Sequence, residues 1–293
     1  MTRWTAFAGL ASVVLVLLLG LARLSEAQFT AHGEPTACDN AAGGTGEARS
    51  APEDPGPATT SPYHPATEPA ADRALSTPER SPVAAAEQRA SLSAGALLAN
   101  VALSQGVFGA MLVAAAVWAD VPAAALGLVP VVTPTAVALG LGLGVALWLA
   151  SEAGGRLAER AGVEVNEALR GALAPDSLGG WGVLLLGVLP TVALFEEFLF
   201  RAVLVGAFAA AAAASGVAVS PWLLAAGSSV AFARGHGAQG RAGVVATGAL
   251  GFVLAAAFVL TESFLLVAVA HYVVNALTLV VHEFDPADAV PRP

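Results

Sequence analysis

The chain has 293 residues, of which 56% are hydrophobic and only 12% are charged, against about a quarter charged in soluble domains. This composition excludes a soluble globular protein, and the apolar runs, continuous rather than alternating, exclude a membrane β-barrel. The formal charge of −9 argues against nucleic acid as a partner. We therefore expect an all-α, polytopic membrane helical bundle of about seven transmembrane helices, with one interfacial amphipathic helix and membrane lipid around it.

The N-terminal region predicts a membrane span followed by a tether. Residues 5–22 are continuously apolar, which fits either a transmembrane helix or a secretory signal peptide. No convincing cleavage site follows, so residues 1–23 are predicted to be a retained transmembrane helix that acts as a signal anchor. Residues 24–90 are acidic and rich in Pro and Ala, with few large aliphatic residues. They are predicted to form a disordered tether, because they cannot bury enough apolar surface to fold.

Residues 91–283 form a second apolar region, which is followed by a short C-terminal tail, residues 284–293. Helices are expected near residues 92–118, 122–150, 182–214, 220–235, 242–260 and 263–281. Between the second and the third of these, apolar residues recur at helical spacing from Leu157 to Leu169. This pattern predicts the amphipathic helix at the membrane interface.

Two further patterns bear on how the helices pack and which way they face. Gly140 and Gly144 have the small-xxx-small spacing that lets membrane helices approach closely. Apart from Arg3 and the intramembrane Arg201, the arginines fall on one side of the predicted spans. Because cytoplasmic loops are enriched in basic residues, the tether, the interfacial helix and the C-terminus are predicted to lie in the cytoplasm of a multi-pass cell-membrane protein.

Few ionisable residues lie within the predicted apolar helices, and the first cluster is in "LFEEFLFRA". Glu197 and Arg201 are four residues apart, so on a helix they face each other and can neutralise as a pair. Glu196 is rotated by about 100 degrees from Glu197. It is therefore predicted to point elsewhere, free of that ion pair.

Two later predicted helices carry polar groups at the same spacing. "FARGH" places Phe232 four residues before His236, and "HYVVN" places His271 four residues before Asn275. Because ionisable groups in membrane helices usually face the bundle interior or a water-filled cavity, a shared polar pocket is predicted. There, Glu196 could act as a general base on water that His236 orients, while His271 and Asn275 could donate hydrogen bonds to an oxyanion.

The motifs "EEFLFR", "FARGH" and "HYVVN", in that order, resemble the EExxxR, FxxxH and HxxxN motifs of the CPBP family of intramembrane proteases. That family includes the CAAX prenyl proteases and the bacteriocin-processing proteins of the Abi type. The resemblance covers roughly residues 181–282 and implies that residues 91–283 form an intramembrane endopeptidase domain acting on membrane-associated proteins or peptides.

The resemblance also implies a role for each motif residue. Glu196 and His236 would activate water, and His271 and Asn275 would stabilise the oxyanion. The implied supporting residues are Glu197, Arg201 and Phe232. Ala202 departs from the glycine that commonly follows the motif arginine.

Two questions stay open at the level of sequence. The family has been described both as metalloproteases and as glutamate-dependent proteases. If a divalent metal such as zinc binds, its ligands would be Glu196, His236 and His271, although the HExxH signature is absent. The alternatives to a protease are a proton-coupled membrane transporter and a non-catalytic immunity or binding protein that uses the same pocket. A transporter is disfavoured because the chain shows no convincing internal repeat.

Overall fold

The computed structural model describes residues 2–31, 94–128, 133–163 and 168–284, and this part of the chain contains helices and no strand. Most of the predicted tether and nearly all of the predicted C-terminal tail lie outside the described residues. We number the helices in chain order. They are α1 (Trp4–Ala31), α2 (Ala94–Trp118), α3 (Pro134–Arg160), α4 (Ala168–Leu173), α5 (Leu178–Ala214), α6 (Pro221–Gly235), α7 (Gly240–Thr261) and α8 (Phe264–Glu283).

Six helices are long and apolar enough to cross a membrane, namely α1, α2, α3, α5, α7 with the turn before it, and α8. The predicted seventh span is α6, which has 15 residues and is shorter than the roughly 20 that a bilayer requires. Helix α6 packs against α7 along much of its length. The predicted class, an all-helical multi-pass membrane protein, is confirmed.

Helix α3 begins later than the predicted span at residues 122–150. Thr133 caps it by accepting a hydrogen bond from the Ala136 amide, and a proline suits the first helical position because its fixed φ is already helical. Upstream, Ala123–Leu126 forms a short 3₁₀ turn that Gly127 ends at φ +65°. The prediction from apolar content alone therefore put the start of this helix too early.

The sequence pattern predicts one amphipathic helix from Leu157 to Leu169, whereas the helix that contains Leu157 ends at Arg160. Helix α3 continues through Leu157 to Arg160, and Gly162 ends the following turn at φ +73°. The separate helix α4 has six residues. Residues 164–167 are not among those that the structure describes. Helix α1 likewise continues past the predicted boundary at residue 23.

The predicted small-residue contact joins α3 to α8. A Cβ atom built on Gly140 would lie 2.7 Å from the Leu266 carbonyl oxygen, and one built on Gly144 would lie 2.6 Å from Val273 Cβ. Both distances are too short for any residue but glycine, so the backbones touch. This contact confirms the prediction and sets the position of α8, which carries His271.

We expect Gly144→Val to lower the thermal stability of the protein, because the added side chain must push α8 away from α3. Overpacking of this kind typically costs about 1–3 kcal/mol. Gly142→Val is the matched control, since a Cβ at Gly142 meets nothing within 4 Å in the described part of the chain. Thermal unfolding in detergent measures both variants, and equal midpoints would contradict the packing described above.

Helix α5 is the central helix of the bundle and departs from α-helical geometry twice. It is π-helical over Leu184–Val188 and again over Phe198–Ala207. More of α5 is buried inside the protein than of any other candidate span. Wide turns of this kind are often found at functional sites, and the second one directly follows Glu196 and Glu197.

Candidate active site

A cavity of about 450 Å³ lies among α2, α4, α5, α6, α7 and α8. Leucines and valines from α2 and α5 form much of its wall. The polar side chains that line it are Gln105, Arg170, Glu196, His236, Gln239, Thr247, His271, Asn275 and Thr278. The cavity is therefore bordered by all four residues for which the sequence predicts a catalytic role.

The ion pair predicted within α5 is present and completely buried. Arg201 Nη1 donates to Glu197 Oε1 at 2.7 Å, and both side chains are at most 1% exposed. Arg201 Nη2 donates to the Gly251 carbonyl oxygen at 3.0 Å, which joins α5 to α7. The guanidinium also lies over the Phe232 ring, 4.6 Å from its centroid. These contacts supply part of the compensation that a buried charge pair requires, although Glu197 Oε2 and Arg201 Nε are buried with no hydrogen-bond partner among the described residues.

Glu197 has a second partner that sequence reasoning missed. Its Oε1 atom lies 2.7 Å from Nδ1 of His271 on α8. Because a carboxylate only accepts hydrogen bonds, Nδ1 carries the hydrogen. Glu197 therefore holds the His271 ring in place and leaves Nε2 for other contacts, a role beyond that of balancing Arg201.

Glu196 faces away from the buried ion pair, as predicted. Its Oε2 atom lies 3.6 Å from His271 Nε2, and its Oε1 accepts a hydrogen bond from Gln105 Nε2 on α2 at 3.4 Å. The His271 imidazole thus lies between two carboxylates, Glu197 at Nδ1 and Glu196 at Nε2. The sequence analysis did not single out Gln105. The one signal that could have identified it is an amide side chain within an apolar run.

His236 lies at the C-terminal end of α6, where it borders the cavity. Its Nδ1 donates to the Phe232 carbonyl oxygen at 2.8 Å, so the neutral ring presents Nε2 as an acceptor. The Phe232 ring lies 4.6 Å from the His236 ring and 5.8 Å from the His271 ring, measured between centroids. Phe232 therefore packs against both imidazoles as well as against Arg201.

Asn275 follows His271 by about one helical turn on α8 and borders the same cavity. The predicted sharing of one helix face is thereby confirmed. An amide at this position offers N–H donors beside the imidazole.

The residues do not fit the metal site that the sequence left open. Within the described part of the chain, no group of three His, Cys, Asp or Glu side chains is placed to share a metal ion. The Nδ1 contacts of His236 and His271 leave both Nε2 atoms available, so the misfit lies in how the three groups are placed and not in their ring nitrogens. We therefore derive no step through a metal.

Comparison with known protein families gives a match to the part of the chain that contains the four candidate catalytic residues. Residues 179–277 match the model of a family described as Rce1-like, type II CAAX prenyl endopeptidase Rce1-like. This segment is similar to the Rce1-like family over those residues. A search of curated proteins and a search of solved structures each found no match.

The Rce1-like segment runs from the start of α5 into α8 and contains the three motifs on which the sequence resemblance rests. The match confirms the resemblance to the CAAX protease family and supports an endopeptidase activity within the membrane. Helices α1 to α4 lie outside the segment. Gln105 on α2 therefore lines the cavity from outside the matched region.

Proposed function

We propose that the Rce1-like segment hydrolyses a peptide bond of a membrane-associated protein or peptide within the cavity. One observation carries this proposal. Glu196 Oε2 and His271 Nε2 lie 3.6 Å apart on the wall of a cavity that His236 and Asn275 also line. A carboxylate, two imidazoles and an amide donor thus surround a space of about 450 Å³ in which a peptide segment and a water molecule can meet.

In the proposed reaction, Glu196 takes a proton from water through Oε2, and His236 orients that water through Nε2. The water oxygen attacks the carbonyl carbon of the scissile peptide bond and forms a tetrahedral oxyanion. Glu196 then delivers the proton to the leaving amide nitrogen as the carbon–nitrogen bond breaks. The products are a new carboxylate and a new amine.

The oxyanion is proposed to accept hydrogen bonds from His271 and Asn275. In its protonated form, His271 donates Nδ1–H to Glu197 and Nε2–H to the oxyanion. Asn275 donates from its side-chain amide one helical turn away. Donors held in place before the reaction stabilise developing charge strongly in a site with little water.

The walls of the cavity point to an apolar substrate segment, because α2 and α5 line it with leucine and valine. Such walls favour apolar side chains or a lipid-modified residue through the hydrophobic effect. The family name refers to CAAX prenyl endopeptidases. A prenylated peptide ending in a CAAX motif is therefore the first substrate to test.

The proposal is tested by comparing protein termini in membranes from cells that lack the chain, express it, or express its His236→Ala variant. We expect new termini with the wild-type chain and none in cells that lack it, and about a hundredfold slower appearance of those termini with the variant, the usual effect of losing a group that assists proton transfer. Equal amounts of both chains in the membrane are the control. Identical termini in all three samples would contradict an endopeptidase function.

A further inference from the structure

Helix α2 forms one wall of the cavity although it lies outside the Rce1-like segment. Leu98, Val101 and Gln105 all line the cavity, at positions spaced by three and four residues. This spacing places them on one face of the helix. The two aliphatic residues complete an apolar wall, whereas Gln105 brings a polar amide to it.

Contacts between α2 and α5 place Gln105 near Glu196 along the length of α5. A Cβ atom built on Gly109 would lie 3.3 Å from Phe195 Cδ2, and one built on Gly106 would lie 3.9 Å from Thr191 Cγ2. Both contacts place this part of α2 against the part of α5 that leads into Glu196. Gln105 therefore lies beside Glu196, to which it donates a hydrogen bond.

Among the residues that the structure describes, the Gln105 amide makes a hydrogen bond with only one of its two ends. Nε2 donates to Glu196 Oε1 at 3.4 Å, and an ionised carboxylate can accept only from the NH₂ end. The Gln105 Oε1 atom is buried and has no hydrogen-bond partner among the residues that the structure describes. A buried acceptor without a partner costs free energy, which offsets part of what the hydrogen bond to Glu196 contributes to folding stability.

We propose that Gln105 is a positioning residue for the hydrolytic reaction, an inference that rests on the function proposed above. By donating to Oε1 of Glu196, it fixes the carboxylate so that Oε2 is the atom that takes the proton from water. The other contact of the carboxylate agrees with this assignment, because Oε2 is the oxygen beside His271 Nε2. Gln105 itself touches neither the proposed water nor the peptide carbonyl in this mechanism.

The test uses purified full-length chain in detergent micelles and a fluorescence-quenched, prenylated CAAX peptide. In the Gln105→Leu variant, which removes the donor at similar volume, we expect kcat to fall about tenfold, the effect of one hydrogen bond. We expect KM to change by less than kcat, because the lost hydrogen bond acts on Glu196 while the rest of the cavity wall stays in place. The midpoint of thermal unfolding should stay the same or rise, because the unpaired acceptor is also removed.

Two further variants separate positioning from packing. Ser104→Ala, on the same helix, removes a hydroxyl that bonds to the Val101 carbonyl oxygen, and it should leave kcat unchanged. Gln105→Glu keeps the shape but replaces the donor with a like charge beside Glu196, so we expect a larger loss of kcat than with leucine.

Three results would overturn the assignment of Gln105. They are wild-type kcat in Gln105→Leu, a loss of kcat accompanied by a lower unfolding midpoint, and wild-type kcat in Gln105→Glu. Failure of the proposed function is distinguishable from these, because the wild-type chain would then cleave neither this peptide nor any membrane protein in the comparison of termini. That result would overturn the role of Gln105 as well.

Discussion

Replacing Glu196 with glutamine is expected to lower kcat for peptide cleavage by about a thousandfold, within the range for general acid–base groups. Glutamine has nearly the same shape, and the native side chain is buried, so the packing of α5 should survive. An amide, however, cannot accept the proton that water releases when it attacks the carbonyl carbon. Steady-state cleavage of a fluorescence-quenched peptide by purified chain measures the effect.

Glu262→Gln is the matched control for this substitution. Glu262 is exposed at the turn between α7 and α8, so the same loss of charge should leave kcat near the wild-type value. Thermal unfolding checks that both variants fold. A Glu196→Gln chain that folds and cleaves within tenfold of the wild type would contradict the proposed role of Glu196.

The second large effect concerns stability. Arg201→Met is expected to lower the free energy of unfolding by about 3–5 kcal/mol, the usual cost of removing one partner from a buried ion pair. The Glu197 carboxylate would remain completely buried with its strongest donor gone, and the Gly251 carbonyl oxygen would lose its side-chain donor. Reversible unfolding in mixed micelles measures the loss.

The double variant Arg201→Met with Glu197→Gln shows whether the buried charge is the cause. Removing both charges should recover part of the lost stability, since no unpaired charge remains in the interior. Activity should stay low even so, because His271 loses the carboxylate that binds its Nδ1 atom. A single variant as stable as the wild type, or a double variant less stable than the single one, would contradict this explanation.

Contacts within one helix were predictable from the sequence because helical geometry is local. Spacing of four residues placed Glu197 beside Arg201, and His271 on the same face as Asn275. The small-residue spacing of Gly140 and Gly144 similarly indicated a close contact between helices. It could not indicate that α8 was the helix in contact.

Contacts between helices were not predictable from a single sequence. His271 binds Glu197 across 74 positions of the chain, and Gln105 binds Glu196 across 91. No periodicity relates residues so far apart, because their meeting depends on how whole helices pack. The sequence therefore indicated which residues could form a site, whereas packing decided which oxygen or nitrogen atom faces which partner.

The role of the cavity is tested most directly by a structure of the wild-type chain bound to a peptide difluoroketone, whose hydrated carbonyl imitates the tetrahedral intermediate. We expect one hydroxyl of the hydrate within hydrogen-bonding distance of Glu196 Oε2 and His236 Nε2. The other hydroxyl should contact His271 Nε2 and the Asn275 amide. An inhibitor bound outside the cavity, or a hydrate out of reach of Glu196, would contradict the proposed mechanism.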